Sequence, residues 1–379
     1  MKNKKEYILF PADIGTHWIG GLYYFKNIIY SLLQSKKIRS KYKILIVTTE
    51  DCKDVFSVFE NDCDIYVHSL NNKVGIQLEY LMIFSKYKVA YIYNAGRLLK
   101  LLRAGKKCVY WIADFQHVHY PKFFTNEVRY KRDKSYGKIA KRKLPLVLSS
   151  NDALKDYEEY FHGDRNQVNV VHFVSYIEKE LRSLTPAFEK TVLEKYGLSK
   201  YQYVYVPNQF WEHKNQLTVL KAIRKLPSEV LAKYKFVFSG NLNSYKDNKY
   251  VNSIKNAIEK PPLDACCFLL GFLDRAEQLS IMKNCRFIIQ PSLFEGWSTV
   301  VEDTKVLNKN IILSDISVHR EQNYNKSIFF NPKDPKELSG KIIGCLNRED
   351  YEEDINIGIQ RMKEDAKTYS RQLEKVFKD

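Results

Sequence analysis

A carboxylate beside a glycine, Glu295-Gly296, stands in a loop that leaves the apolar run Phe287-Ile288-Ile289 and leads into a segment of helical pattern. The whole passage reads Gln290-Pro291-Ser292-Leu293-Phe294-Glu295-Gly296-Trp297-Ser298-Thr299. A strand that stops at Pro and Ser and launches a helix turns backbone N–H groups toward an anion at the helix start. That outlines a nucleoside diphosphate site, with Ser298 and Thr299 supplying backbone donors. Two further acids, Glu302 and Asp303, follow one to two turns later, and Ile311-Ile312-Leu313 reads as the next buried strand. The acids then belong at the carboxyl edge of a parallel sheet.

Three other places carry chemistry. Asn208-Gln209-Phe210-Trp211-Glu212-His213-Lys214-Asn215 follows an apolar strand and opens a helix, so Lys214 can meet a diphosphate while Asn208 and Gln209 hold the loop. The plain alternative is an ordinary helix start with a surface lysine. Gly20-Gly21 opens a helix after the first strand, where missing side chains admit close backbone approach to a phosphate. Asp114, His117 and His119 end a strand with an acid and two imidazoles, which suits general base or acceptor-binding work, although a single histidine is more often a core residue. Asp62-Cys63-Asp64 has the form of a divalent-ion motif and reads better as a turn before a strand. Arg320 follows Ser314-Asp315 and offers a cation or a surface helix start.

The elements that must position these residues alternate. Strands are expected at Tyr7–Phe10, Tyr42–Val47, Asp64–Val67, Val89–Tyr93, Cys108–Ile112, Leu146–Leu148 and Val168–Phe173, with a helix over Gly21–Leu33 and a helix N-cap at Asn151-Asp152-Ala153. The rhythm restarts at Tyr203–Val206 and continues through strands at Lys235–Phe238 and Phe268–Leu270, with helices at Asn215–Arg224, Tyr250–Ile258 and Ala276–Lys283. Strand followed by helix, repeated, specifies a parallel α/β sheet. The expected organisation is one Rossmann-like domain over 1–180, a second over 181–355, and a terminal helical segment, 356–379, that crosses back to the first.

Composition narrows the rest. The 379 residues exceed one core, and 45% apolar content with 14% aromatic excludes wholesale disorder. Seven scattered cysteines lack zinc-site spacing and suit a reducing compartment. The apolar run after the charged N-terminal residues is too short for a signal peptide, and no window reaches the length of a membrane span, so the expected location is cytoplasmic. The net charge is +17, and between Arg97 and Lys143 fourteen Lys and Arg face three acids, among aromatic residues. Such a stretch is either a solvated face or a surface for phosphates or anionic lipid, and no recognised nucleic-acid motif accompanies it.

Together these segments, with Leu270-Gly271-Phe272-Leu273 and Ser314-Asp315-Ile316-Ser317-Val318-His319-Arg320-Glu321, resemble the retaining glycosyltransferases of family 4 (glycosyl transferases group 1). The resemblance implies the GT-B fold, two doubly wound Rossmann-like domains facing across a cleft, with the donor on the second domain and the acceptor on the first. It implies a nucleotide-sugar donor (UDP- or GDP-sugar), no cofactor, no metal, and a hydroxyl acceptor on a glycan or lipid-linked polysaccharide or lipopolysaccharide intermediate, with peripheral contact to an anionic inner membrane. Glu295 then matches the acid that faces the transferred sugar, and Lys214 the diphosphate-binding lysine. The acid for the ribose hydroxyls falls on Asp303 by spacing, with Glu302 one position early. Gly20, Gly21, Asn208, Gln209, Gly271, Phe272, Gly296, Trp297, Ser298 and Thr299 complete the implied donor site. The sequence departs from the family at Gln209, where an arginine is usual, so Arg320 or Arg275 becomes the candidate replacement, and at Ala113, where a histidine is usual. Substituting Glu295 or Lys214 is expected to remove transfer without unfolding the protein. The alternatives are a sugar-nucleotide epimerase or phosphorylase on the same fold, and a non-catalytic basic membrane- or nucleic-acid-binding protein.

Overall fold

The computed structural model describes residues 5–15, 18–70, 72–242, 248–322, 324–348 and 354–378. It divides into two units, Met1–Tyr176 with Lys363–Asp379, and Ile177–Met362. In the first unit, β1 (Glu6–Pro11), β2 (Tyr42–Thr48), β3 (Asp64–Val67), β4 (Val89–Tyr93), β5 (Lys107–Ile112), β6 (Leu146–Leu148) and β7 (Val168–Val170) form one sheet. Its spatial order is β3-β2-β1-β4-β5-β6-β7, with every pair parallel. In the second, β8 (Gln202–Pro207), β9 (Tyr234–Ser239), β10 (Cys267–Leu269), β11 (Ile288–Gln290), β12 (Ile311–Ser314) and β13 (Ser327–Phe330) are ordered β10-β9-β8-β11-β12-β13, again all parallel.

Strands covered on both faces must be apolar throughout, and the central ones are: Ile8, Leu9 and Phe10 in β1, Val204, Tyr205 and Val206 in β8, and Ile288 and Ile289 in β11 are buried. Both units therefore have the doubly wound Rossmann-like architecture. In each the order reverses between the first and fourth strands, β1 and β4 or β8 and β11. At such a switch point the loops leaving the two strands diverge and open a crevice for ligands. The loops that follow β8 and β11 are the Asn208–Lys214 and Pro291–Ser298 segments.

Some elements differ from their sequence reading. The strand expected to reach Phe173 ends at Val170, although the Val171 amide still donates to Leu148 O at 2.9 Å. The helix Asn151–Phe161 is capped by Ser150, whose Oγ accepts from the Ala153 amide at 3.1 Å. The last helix runs over Ile355–Val376. Its first half packs in the second unit, where Gly358 approaches the carbonyls of Lys305 and Val306 too closely for a Cβ. Its second half belongs to the first unit: Glu374 accepts from Ser35 Oγ at 2.6 Å, and Phe377 packs edge-on against Tyr91.

Candidate active site

Four contacts tie the β8 and β11 loops together. Lys214 Nζ donates to Glu295 Oε1 at 2.6 Å. Asn208 Nδ2 donates to Gln290 Oε1 at 2.6 Å, and the Leu293 amide to His213 O at 2.7 Å. Asn215 adopts the left-handed region with φ 61°, which asparagine tolerates, and its Nδ2 donates to Pro291 O at 3.0 Å and Pro332 O at 2.8 Å. Behind them Gly240, with φ 153°, lets β9's exit pass the Asn208 carbonyl where a Cβ would lie 2.3 Å from its oxygen.

Gln290, fully buried at the end of β11, is the hub. Its Nε2 lies within hydrogen-bond reach of Glu295 Oε1 at 2.7 Å, Ser298 Oγ at 3.1 Å and Ser292 Oγ at 3.2 Å. Glu295 Oε1 accepts from Ser292 Oγ as well, at 2.7 Å. Burial pushes the Glu295 carboxyl up, but the attraction of Lys214 and the hydrogen bonds from Lys214 and Ser292 outweigh it, and the group stays below its ordinary value. It is an anion held in place from three sides.

His319 completes the buried end of the site. Its Nδ1 lies 3.0 Å from the Ser314 carbonyl, which can only accept, so Nδ1 carries the proton and Nε2 is a bare acceptor. That Nε2 is buried and has no hydrogen-bond partner. Burial holds the imidazole at about 4, and it is neutral at physiological pH.

The remaining donor-side residues have assorted duties. The Ser298 amide, expected to face an anion, donates to Gln322 Oε1 at 2.8 Å, because Gln322 folds back over the helix Thr299–Val306 and also donates to Ser298 O and to Glu302 Oε1. Thr299 begins that helix, half-buried, after the buried Trp297. Glu302 is further bound by Lys305 Nζ at 2.9 Å. Asp303 takes both guanidinium arms of Arg275, NH1 at 2.8 Å. Gly271, with φ 74°, accepts from the Gly240 amide at 2.8 Å, and Phe272 beside it is exposed. Gln209 Oε1 accepts from the Asn241 amide at 2.9 Å, and Gly296 sits half-buried between Glu295 and Trp297. Arg320 forms a bidentate pair with Asp315, at 2.6 and 2.7 Å, and stacks on Phe329.

In the first unit the expected cluster is dispersed. Asp114 accepts from Arg132 and the Gln116 amide, His117 pairs with Asp133 at 3.1 Å, and His119 with Asp156 at 2.8 Å. His117 is buried among Phe124, Tyr136 and Phe161, and burial holds its pKa down, whereas the Asp156 hydrogen bond raises that of His119. Gly20 and Gly21 lie in the first turn of the helix Ile19–Leu33, where a Cβ on Gly21 would lie 2.6 Å from the Trp18 ring. Asp62 pairs with Arg39 and Asp64 accepts from Tyr7 Oη.

A different cluster occupies the carboxyl ends of β1 to β3. His68 Nδ1 lies 2.6 Å from Glu79 Oε2, and its Nε2 3.6 Å from Asp13 Oδ2, all three side chains buried. Burial pushes Glu79 up, but two hydrogen bonds from Ser69 and the contact with His68 bring it to about 2. The same two acids outweigh the burial of His68 and raise its pKa. No spacing in the sequence announces this cluster. Gln290 had a weaker signal, a polar residue closing an apolar run before Pro291.

With this geometry in place, residues 189–362 match the family model of glycosyl transferases group 1, so the second unit carries a domain of that kind. No curated protein matches the chain in sequence. Solved structures match nearly its full length. A glycosyltransferase from Rickettsia africae aligns at 17% identity and a TM-score of 0.68, over 99% of this chain and 100% of its own. HepE from Anabaena, solved with UDP and glucose, aligns at 15% identity and a TM-score of 0.71, over 98% of both chains. Sucrose-phosphate synthase from Thermosynechococcus elongatus aligns at 12% identity and a TM-score of 0.65, over 98% of this chain and 96% of its own. The two parallel sheets with their helices have the GT-B fold of these neighbours. Among the described residues no helix is long and apolar enough to cross a membrane.

Proposed function

We propose that this protein is a retaining glycosyltransferase that moves a sugar from a nucleoside diphosphate donor to a hydroxyl of a glycan or lipid-linked acceptor. The observation that carries the proposal is the 2.6 Å Lys214–Glu295 contact at the β8/β11 switch point, inside a domain matched by the group 1 family model. Lys214 meets the diphosphate and stabilises the charge that grows on it as the glycosidic bond breaks. Glu295, kept ionised and fixed by Gln290 and Ser292, faces the sugar whose developing positive charge it favours. The neutral His319 leaves Nε2 as a buried acceptor at the closed end of the site.

Arg275, oriented by Asp303, is the cation we assign in place of the arginine absent at Gln209, because Arg320 is held at the surface by Asp315. Glu302 is bound by Lys305 and Gln322 and Asp303 by Arg275; by its spacing from Glu295 we assign Asp303, with Arg275, to the ribose side. The cationic charge on the diphosphate comes from side chains, so transfer proceeds in EDTA. HepE's complexes with UDP and UDP-glucose favour a uridine donor.

The test is a thermal-shift screen against UDP- and GDP-sugars with EDTA present, followed by donor consumption with and without a hydroxyl acceptor. A saturating donor at ~100 times its dissociation constant adds about 2.7 kcal/mol of stability. Expected are a shift with one nucleotide class, its loss in Glu295→Gln, and an acceptor-dependent product that keeps the anomeric configuration. Donor interconversion without acceptor would replace the proposal by an epimerase.

A further inference from the structure

The helix Lys73–Lys86 is apolar on two faces, and only one of them has protein to cover it. Its inner face sends Tyr80 and Ile83 into the first unit's core against β1, β2 and β4. On the outer face Val74 is 70% exposed, Leu78 53%, Leu81 47% and Met82 56%. At 100° per residue these four fall within about 100° of arc, one stripe along a helix roughly 20 Å long. Leucines continue the stripe at one end. Leu70 lies against the first helical turn, close enough that a Cβ on Gly75 would be 2.8 Å from it, and the loop after β4 adds Leu99 and Leu101, the latter 76% exposed. The Leu99 amide donates to Gln77 Oε1 at 3.3 Å, which holds that loop beside the helix.

The stretch of chain that carries the stripe is basic, with its Lys88 paired to Glu6 at 3.0 Å. From Leu70 to Lys107 the chain holds eight Lys and Arg and a single acid, Glu79, which is buried and bound to His68. Lys86, Lys100 and Lys107 are exposed, and Lys106 Nζ lies 4.5 Å over the Phe84 ring. A row of Leu, Met and Val edged by lysine is the composition of an interfacial helix lying in the headgroup region of an anionic leaflet. A second copy of this chain fits poorly. A two-fold contact through the stripe would set Lys86, Lys100 and Lys107 against their own images, and the stretch itself offers no exposed acid to answer them.

We propose that the outer face of the helix Lys73–Lys86, with Leu99 and Leu101, docks the protein on anionic lipid bilayers, the leucines and Met82 entering the interface and the lysines meeting lipid phosphates. The surface takes in only the start of the basic stretch Arg97–Lys143, through Leu99, Lys100, Leu101, Lys106 and Lys107, and not its helical part. The helix Asn126–Lys141 there is basic too, with Glu127 paired to Lys131, but it carries no comparable row of exposed Leu and Met. The docking does not depend on the transferase reading. If that reading holds, its acceptor is borne by the membrane, because Leu70 and Val74 follow directly on the carboxyl end of β3, the edge at which α/β sheets receive ligands.

The experiment is flotation of the full chain with vesicles of phosphatidylcholine alone, or mixed equally with phosphatidylglycerol, at low and high salt, with sedimentation velocity in parallel. Wild type is expected to float with the mixed vesicles and not with phosphatidylcholine, and to be released by salt. Leu78→Asp with Met82→Asp is expected to lower partitioning at least about tenfold, and Leu101→Asp alone severalfold. Leu101 is in an exposed loop, so its variant keeps the test sound if the double one fails to fold. Absence of flotation by wild type, equal flotation by Leu101→Asp, or self-association abolished by that substitution would each overturn the proposal. Vesicle binding is read without turnover, so a protein that floats and transfers nothing keeps the docking surface and loses the transferase.

Discussion

Replacing Lys214 by methionine keeps most of the side chain's length and removes its charge. Glu295, whose side chain is 9% exposed, then retains hydrogen bonds from Gln290 and Ser292 but has lost the cation at 2.6 Å. Breaking a buried pair by deleting one partner costs about 3–5 kcal/mol. Lys214 is 15% exposed, so residual water screens the pair and about 2–3 kcal/mol is expected here. In a unit of this size that lowers the melting temperature by roughly 5–10 °C. A loss of this size leaves the protein folded, in keeping with the sequence expectation that the substitution removes transfer without unfolding it. Glu295→Gln costs less, about 1 kcal/mol, because the lysine it leaves can extend toward solvent. The double variant should recover most of the Lys214→Met loss, a coupling of about 1.5–2 kcal/mol.

The same reasoning fixes a pH dependence. Without Lys214 only the hydrogen bonds from Gln290 and Ser292 oppose the effect of burial on the Glu295 carboxyl, so its folded pKa rises relative to the wild type. The variant's carboxyl takes up its proton at a higher pH than the wild type's, so the deficit of Lys214→Met shrinks as pH falls. Urea melts, with hydrogen exchange read on peptides covering 288–306, report the second unit directly. Strict additivity within about 0.5 kcal/mol, or a deficit that does not change with pH, would falsify the view that the two loops form one electrostatic unit.

Two further predictions rest on neighbouring geometry. His319 is held at about 4 in the folded protein and has an ordinary value near 6.5 when unfolded, so the unfolded chain binds the extra proton between those limits. Stability therefore rises with pH from about 4 to 6.5, by about 3 kcal/mol from this group, and His319→Gln flattens that part of the curve; an imidazole titrating near 6.5 by NMR in the folded protein contradicts it. Gly240→Ala adds a Cβ 2.3 Å from the Asn208 oxygen at a backbone φ of 153°, so roughly 2–4 kcal/mol should be lost and the donor shift weakened, while Gly105→Ala, in open space at φ 69°, costs about 1 kcal/mol in calorimetry.

Central strands were legible because a strand covered on both faces has to be apolar throughout: β1, β2, β8 and β11 all read as short runs of Ile, Leu, Val and Phe. Edge strand β13, Ser327-Ile328-Phe329-Phe330, went unread although its Ile-Phe-Phe run is as apolar as the one that leads into β11; at the sheet's edge it is largely half-buried. Loops that leave neighbouring strands could be matched to each other because a parallel sheet brings their carboxyl ends together, which is why Lys214 and Glu295 were read as one site although 81 positions separate them. The partners of those residues were not legible. Ser298's amide was counted as a donor for a ligand, but a glutamine 24 positions on takes it. His117 looked reactive in a cluster with Asp114 and His119, whereas each is tied to a residue on a later helix, and an imidazole among Phe124, Tyr136 and Phe161 is core. The outward leucines of Lys73–Lys86 were hidden for the opposite reason: an apolar segment announces burial, and only the packed structure shows which face stays uncovered.

The division of the last helix between two units has a consequence for the order in which the protein is made. Tyr91 and Tyr93 in β4 are closed over by Phe377, and Tyr91 Oη donates to the carbonyl of Lys378, 287 positions later in the chain. While the ribosome is still translating the second unit, the first has all seven of its strands and lacks its cover. The second unit spans an unbroken stretch, Ile177–Met362, and can close as it emerges. The part synthesised first is thus the part completed last, and for that interval β4's aromatic face is left to water or to a chaperone.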